Sequence, residues 1–189
     1  MRIIAALLAV ALAGCAAVAK MESGEQTIGE RLVVHLDGAW NHVTAPGIGP
    51  AHLWTMEGLP IDQLRIYAGI KDGEPVHQPD TSGNRKSFSF RSSMQPEDIV
   101  AMFEGMMTRD GSVFTLNKLE PMSFGGQKGF RFEFSLIRKV DSVQLSGVGF
   151  GTVAKSELYA MLYAAPQLGF FARHQRSVEQ MARSAWLKM

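Results

Sequence analysis

Eight consecutive apolar residues, Leu158 to Ala165 in ELYAMLYAAP, constrain the fold more than any other stretch of this chain. Successive side chains of a strand point to opposite faces, so a strand that is apolar throughout must be covered on both sides. It belongs in the middle of a sheet with packing layers above and below. Its neighbours can be read nearby. VQLSGVGFGTVA, joined to it near Lys155-Ser156, reads as its hairpin partner. From about Gly129 to Arg138, Phe130, Phe132 and Phe134 alternate with Arg131, Glu133 and Ser135, a strand with one buried and one wetter face. Gly147, Gly149 and Gly151 alternate in the hairpin partner and clear one strand face for large neighbours, such as that phenylalanine row or the terminal helix.

Further strand patterns lie in ERLVVHLDG, where Leu32, Val34 and Leu36 alternate, and at residues 52–57. Others are QLRIYAGI, closed by the turn Lys71-Asp72-Gly73, SFSFRS with Phe88 and Phe90 on one face, and a strand from about 112 to 119. The rest of AWNHVTAPGIGPAHLWTMEGLP reads as connection. EPVHQPDTSGNRK is the most polar and turn-rich segment and reads as a mobile surface loop. QPEDIVAMFEGMMTRDG reads as a helix. Pro96 suits its first turn, Glu97 and Asp98 suit the positive end of its dipole, and Ile99, Met102, Phe103 and Met106 form one apolar stripe. RHQRSVEQMARSAWLK reads as a terminal helix with Val178, Met181, Ala182 and Ala185 on its buried side.

Residues 86–189 resemble the Mog1/PsbP-like group. The resemblance is carried by the order of PEDIVAMFEGMM, GGQKGFRFEFSLIR, ELYAMLYAAP and a terminal helix ending in Ser-Ala-Trp. It implies an α+β fold: an antiparallel sheet of about six or more strands flanked by helices, an α/β/α sandwich. The group holds binding and assembly proteins and many lipid-anchored bacterial members, and it implies no catalytic residue.

The N-terminus has a different character. Met1 and Arg2 give a positive start, and Ile3 to Ala13 are apolar. That run is shorter than the ~20 residues a membrane-spanning helix needs, and it fits the apolar region of a cleaved export signal. Leu12-Ala13-Gly14-Cys15 resembles the lipobox of bacterial lipoproteins. The resemblance implies that residues 1–14 are removed, that the Cys15 thiol takes a diacylglycerol, and that the new amine is acylated. Membrane attachment would then run through Cys15. Ala16, rather than Asp, in the second position resembles the pattern of an outer-membrane destination, with the domain facing the periplasm. Residues 15–28 read as a flexible tether that could span about 50 Å when extended. Residues 29–189 read as one globular domain.

Composition narrows the function classes. Without Arg2 the chain holds 18 basic and 18 acidic residues with no basic stripe, which argues against a nucleic-acid partner. Cys15 is the only cysteine, so no disulfide and no cysteine metal site can form within the chain. His35, His42, His52, His77 and His174 show no metal-binding spacing, and neither HExxH nor GxSxG occurs. GVGFGT has Thr152 where a dinucleotide fingerprint needs its helix-opening glycine. Glu97 with Asp98, and Glu120 with Glu133, read as helix-start and surface charges rather than a general acid and base. Phe170 and Phe171 read as a staple between the last helix and the sheet. No catalytic, cofactor or metal residue is nominated. The expectation is a non-enzymatic binding or scaffolding module of the cell envelope, partnered by another envelope protein. Two alternatives stand: a small periplasmic enzyme with a site around His77 to Arg85, and a carrier of an apolar ligand between sheet and helices. An apolar pocket above about 300 Å³ would favour the carrier.

Overall fold

The computed structural model describes residues 17–78 and 87–188. Residues 1–14, read as a cleaved signal, Cys15 and part of the polar loop (79–86) lie outside the described residues. The elements in order are β1 (Ala17–Met21), β2 (Gly24–Ile28), β3 (Leu32–Leu36), β4 (Trp40–Thr44), β5 (His52–Thr55) and β6 (Gln63–Lys71). Then come α1 (Pro96–Met107), β7 (Val113–Phe124), β8 (Gln127–Ile137), β9 (Gln144–Ala154), β10 (Glu157–Pro166), α2 (Ala172–Ser184) and β11 (Trp186–Leu187). Eight strands form one antiparallel sheet in the order β1-β4-β5-β6-β10-β9-β8-β7, and three form a second in the order β11-β3-β2.

The doubly apolar strand is β10, an interior strand between β6 and β9. Leu158, Ala160 and Leu162 pack on the α1 side, and Tyr159, Met161 and Tyr163 pack on the α2 side. The fold is therefore three-layered. On one face lies α1, through Ile99, Val100, Met102 and Phe103. On the other lie α2, through Val178, Met181 and Ala182, and the small sheet, through Leu32, Val34 and Leu36. The α+β class holds, with one outer layer made of a helix and a small sheet together.

The glycine row clears its strand face for the phenylalanine row, one of the two neighbours that its spacing allowed. Gly151, Gly149 and Gly147 stand directly opposite Phe130, Phe132 and Phe134 across β8 and β9. A Cβ at Gly151 would come within 2.6 Å of the Phe130 ring, and Cβ atoms at Gly149 and Gly147 would overlap Phe132 and Phe134. The three rings stack on one another over the bare backbone, 5.7 Å and 6.2 Å between successive centroids. The β9–β10 turn is Lys155-Ser156, both with positive φ, the tight hairpin geometry that follows strand twist.

Several expectations are corrected. The stretch read as a flexible tether is strand over its described part. β1 pairs with β4 from Ala17↔Thr44 to Met21↔Trp40, and β2 pairs with β3 from Gly24↔Leu36 to Ile28↔Leu32. Its small and polar residues hid it, because β1 is exposed on both faces up to half-buried Met21, and β2 fully buries only Ile28. Trp40–Thr44 is a strand within what read as connection, anchored by buried Trp40 and Val43. SFSFRS is no strand. Ser89 makes only an isolated bridge to Pro75, which lets Phe90 bury completely against α1's core. The terminal helix stops at Ser184, and Trp186–Leu187 pairs with β3 instead.

Candidate functional site

A cleft of about 600 Å³ opens on the α1 face of the large sheet. It arises from a mismatch of lengths. The 12 residues of α1 span about 18 Å, whereas the 11 residues of β8 span about 36 Å. The helix therefore covers only part of the sheet, and loops must wall the remainder. Leu53, Leu136, Leu145, Leu162 and Ala164, from four different strands and all pointing to this face, line the cleft.

Two loops wall it, and each has a physical reason for its course. The loop after β5 turns around Asp62, which is fully buried. Its carboxylate accepts the Thr55 hydroxyl at 2.5 Å, the Met56 amide at 3.0 Å and the Glu57 amide at 2.8 Å, and this holds Leu59 and Ile61 at the edge of the cleft. The loop after β4 crosses the sheet face because Gly49 has φ +79°, and a Cβ there would meet the Gln78 amide at 2.6 Å. Only glycine permits that approach, which places Pro46 to Ile48 beside His77 and Gln78.

The polar rim is predominantly basic. Among the described residues, Arg65, Arg109 and Arg138 line the cleft together with the carboxylate of Asp110. Arg138 is held by Asp141, with Nη2 donating at 2.6 Å and Nε at 2.9 Å, and its Nη1 donates to the Pro60 carbonyl. The bonds from Arg138 hold the Asp141 carboxyl below the usual range. Burial opposes the charge on Asp110, but the Ser112 hydroxyl and amide outweigh it and leave that carboxyl lowered. Arg65 has a neutral partner, donating from Nη2 to Gln63 Oε1 at 3.0 Å. Beneath it, burial pushes the Tyr67 hydroxyl up to about 12, and that hydroxyl donates to Met106 Sδ at 3.4 Å.

The sequence nominated no residue of this cleft as a site except His77, which is buried at its wall and lies tilted against Phe88 at 5.6 Å. The basic rim escaped notice because its arginines come from a strand and two separate turns, far apart in the chain. Ser112 Oγ accepts the Lys139 amide at 3.0 Å, so this hydroxyl is engaged by backbone. Among the described residues, no group of three or more His, Cys, Asp or Glu side chains is arranged to hold a metal ion.

The other singled-out residues lie elsewhere. His35 is an exposed residue of β3. His174, on α2, meets Glu57 Oε1 at 2.9 Å beside Arg173 at 2.8 Å, and these bonds lower the Glu57 carboxyl. Asp98 accepts the Gln95 amide at 3.0 Å and caps α1, as its position at the helix start suggests. Glu120 and Glu133 are more than surface charges. With Glu179 they surround the guanidinium of Arg131, a buried residue, at 3.1, 2.7 and 2.6 Å, tying β7 and β8 to α2. Phe171 stacks on Tyr163 at 5.9 Å, and Phe170 packs against the same core, so the pair staples the last helix to the sheet.

His42 and His52 stack at 6.0 Å across β4 and β5. Burial first, and the His42 ring second, lower the pKa of His52 from its ordinary 6.5. The unfolded chain then binds the His52 proton more tightly than the folded one, so stability is lost as pH falls from 6.5 through the lowered value. An NMR titration of the His52 ring is expected to show a midpoint below 6.5; one at or above 6.5 would contradict this packing.

No family model and no curated protein matches the chain. The chain is similar to the solution structure of cyanobacterial PsbP (CyanoP) from Synechocystis sp. PCC 6803, with 11% identity and a TM-score of 0.59 over 98% of this chain and 99% of that one. At that identity the likeness concerns the fold alone: this chain has the PsbP-like fold.

Proposed function

We propose that this chain is a lipoprotein of the bacterial envelope whose folded part is a non-enzymatic module that binds a small ligand in the cleft on the α1 face. The cleft carries the reading. Its volume of about 600 Å³ lies well inside the range of ~300–1,000 Å³ that takes a whole small ligand, and its apolar lining with a few polar groups is what such sites use. This favours ligand binding over scaffolding by a closed surface. Native mass spectrometry of the protein released from its envelope is expected to show a non-covalent small molecule. Ala164→Trp, which fills the cleft, is expected to lose that molecule; retention would overturn the reading.

Attachment through Cys15 and an outer-membrane address, favoured by Ala16, belong to the same proposal. Cys15→Ser is expected to abolish incorporation of a tagged fatty acid, because a hydroxyl does not replace the thiol as acceptor. A variant that still labels would overturn the lipoprotein reading. Because β1 begins at Ala17, two residues after Cys15, the anchor would lie within about 7 Å of folded chain.

A further inference from the structure

We infer that the ligand of the cleft is an amphiphilic anion, a single acyl chain ending in a carboxylate or phosphate. The inference rests on the reading of the cleft as a binding site and names what enters it. The first observation is the character of the lining. The chain has 17 aromatic Phe, Tyr and Trp residues, yet none of them lines the cleft. The apolar lining is instead leucine and isoleucine, completed by Met106 and Met107. Flat ring systems are gripped by aromatic faces. Branched aliphatic and thioether side chains, which re-pack around a bent chain, suit a flexible hydrocarbon.

The second observation is charge. Among the described residues, Arg65 and Arg138 bring guanidinium groups to the lining, and its carboxylate is Asp110. A guanidinium presents a planar fork of donors that matches carboxylate and phosphate oxygens. Arg138 is already forked onto Asp141, whereas among the described residues Arg65 meets no carboxylate. Arg65 rises from β6, between the β5 and β10 strands that supply Leu53, Leu162 and Ala164. A headgroup at Arg65 therefore leaves its chain lying on aliphatic floor. The third observation is position. Ala17 pairs with Thr44, two residues before Pro46 at the cleft wall, so that wall lies within about 20 Å of Cys15. A lipid held at Cys15 would keep the cleft close to a bilayer, which is a source of such amphiphiles; the free fatty acid is the other.

The test uses the full chain in isolated envelopes with photoactivatable palmitate and photoactivatable lysophosphatidate, followed by peptide mapping that separates the cleft from Cys15. Label is expected on the peptides carrying Met106, Met107 and Leu162. Excess palmitate or lysophosphatidate is expected to remove it, and neutral monopalmitin is not. Arg65→Gln is expected to lower the label at least about tenfold, the loss of one charge-assisted contact, and Arg65→Lys to restore most of it. Melting curves of both variants establish that the fold is intact. Stronger labelling by palmitate identifies the free acid as the source, and stronger labelling by lysophosphatidate identifies a phospholipid of the bilayer; either supports the inference. Label that monopalmitin removes equally well, or that survives Arg65→Gln, overturns the anionic class while leaving the cleft a binding site. Label absent from the cleft, or unchanged in Ala164→Trp, overturns the binding site itself.

Discussion

Phe132→Ala is expected to cost about 3 to 5 kcal/mol of folding free energy. Phe132 is fully buried at the centre of the phenylalanine row, and its ring lies on the bare backbone of Gly149. The cavity left behind cannot collapse easily, because Phe130 and Phe134 are themselves held by the same sheet and by α1. The reciprocal change is informative. Gly149→Ala places a methyl where the ring now lies and is expected to cost roughly 1 to 3 kcal/mol by overpacking. In the double variant the new methyl enters space the ring has vacated. The two losses are then expected to fall short of additivity by about 1 to 2 kcal/mol. Denaturant melts of the four proteins measure this. Strict additivity would show that ring and glycine do not share one packing contact.

That row was legible in the sequence because two independent patterns, alternating phenylalanines and alternating glycines, complement each other when the strands bearing them are neighbours. β10 was legible for a related reason: apolar residues on both faces leave one place for a strand. α1 announced itself through Pro96, the acidic first turn and the stripe from Ile99 to Met106. Period and burial failed together at the edges. β1 and β2 bury so little that their residues follow no apolar alternation, and pairing of β1 with the more distant β4 and of β2 with β3 across a short turn decides their conformation. SFSFRS failed in the opposite sense. Its alternation is real, but Phe90 reaches the α1 core through a short pairing of residues 88–90 with 73–76 rather than through a ladder. The cleft was the least legible feature. It is a shortfall in helix length over a long sheet, and its arginines converge from Arg65, Arg109 and Arg138, which no linear motif unites.

Beginning the chain at residue 29, the domain boundary that its patterning marks, is expected to leave a protein without cooperative unfolding, while a chain beginning at residue 17 melts as one unit. The shorter chain lacks β1 and β2. Five residues of β2 pair with five of β3, and Ile28 is buried in the core under α2. Without β2, the completely buried Leu32, Val34 and Leu36 belong to a strand whose remaining ladder partner is the two-residue β11. Without β1, the edge of β4 that carries Trp40 and Val43 loses its cover, and Met21 leaves the same core. Burial of one large aliphatic side chain contributes about 1.5 to 3 kcal/mol, and each ladder hydrogen bond about 1 kcal/mol. Two lost strands thus remove a sum comparable with the whole stability of an ordinary domain, about 5 to 15 kcal/mol. Circular dichroism melts and dye binding to exposed apolar surface distinguish the two chains. If both melt alike, β1 and β2 are not part of the cooperative unit. Residues 15–28 then act as a tether of up to about 50 Å after all, and the cleft loses its place beside the lipid anchor proposed at Cys15.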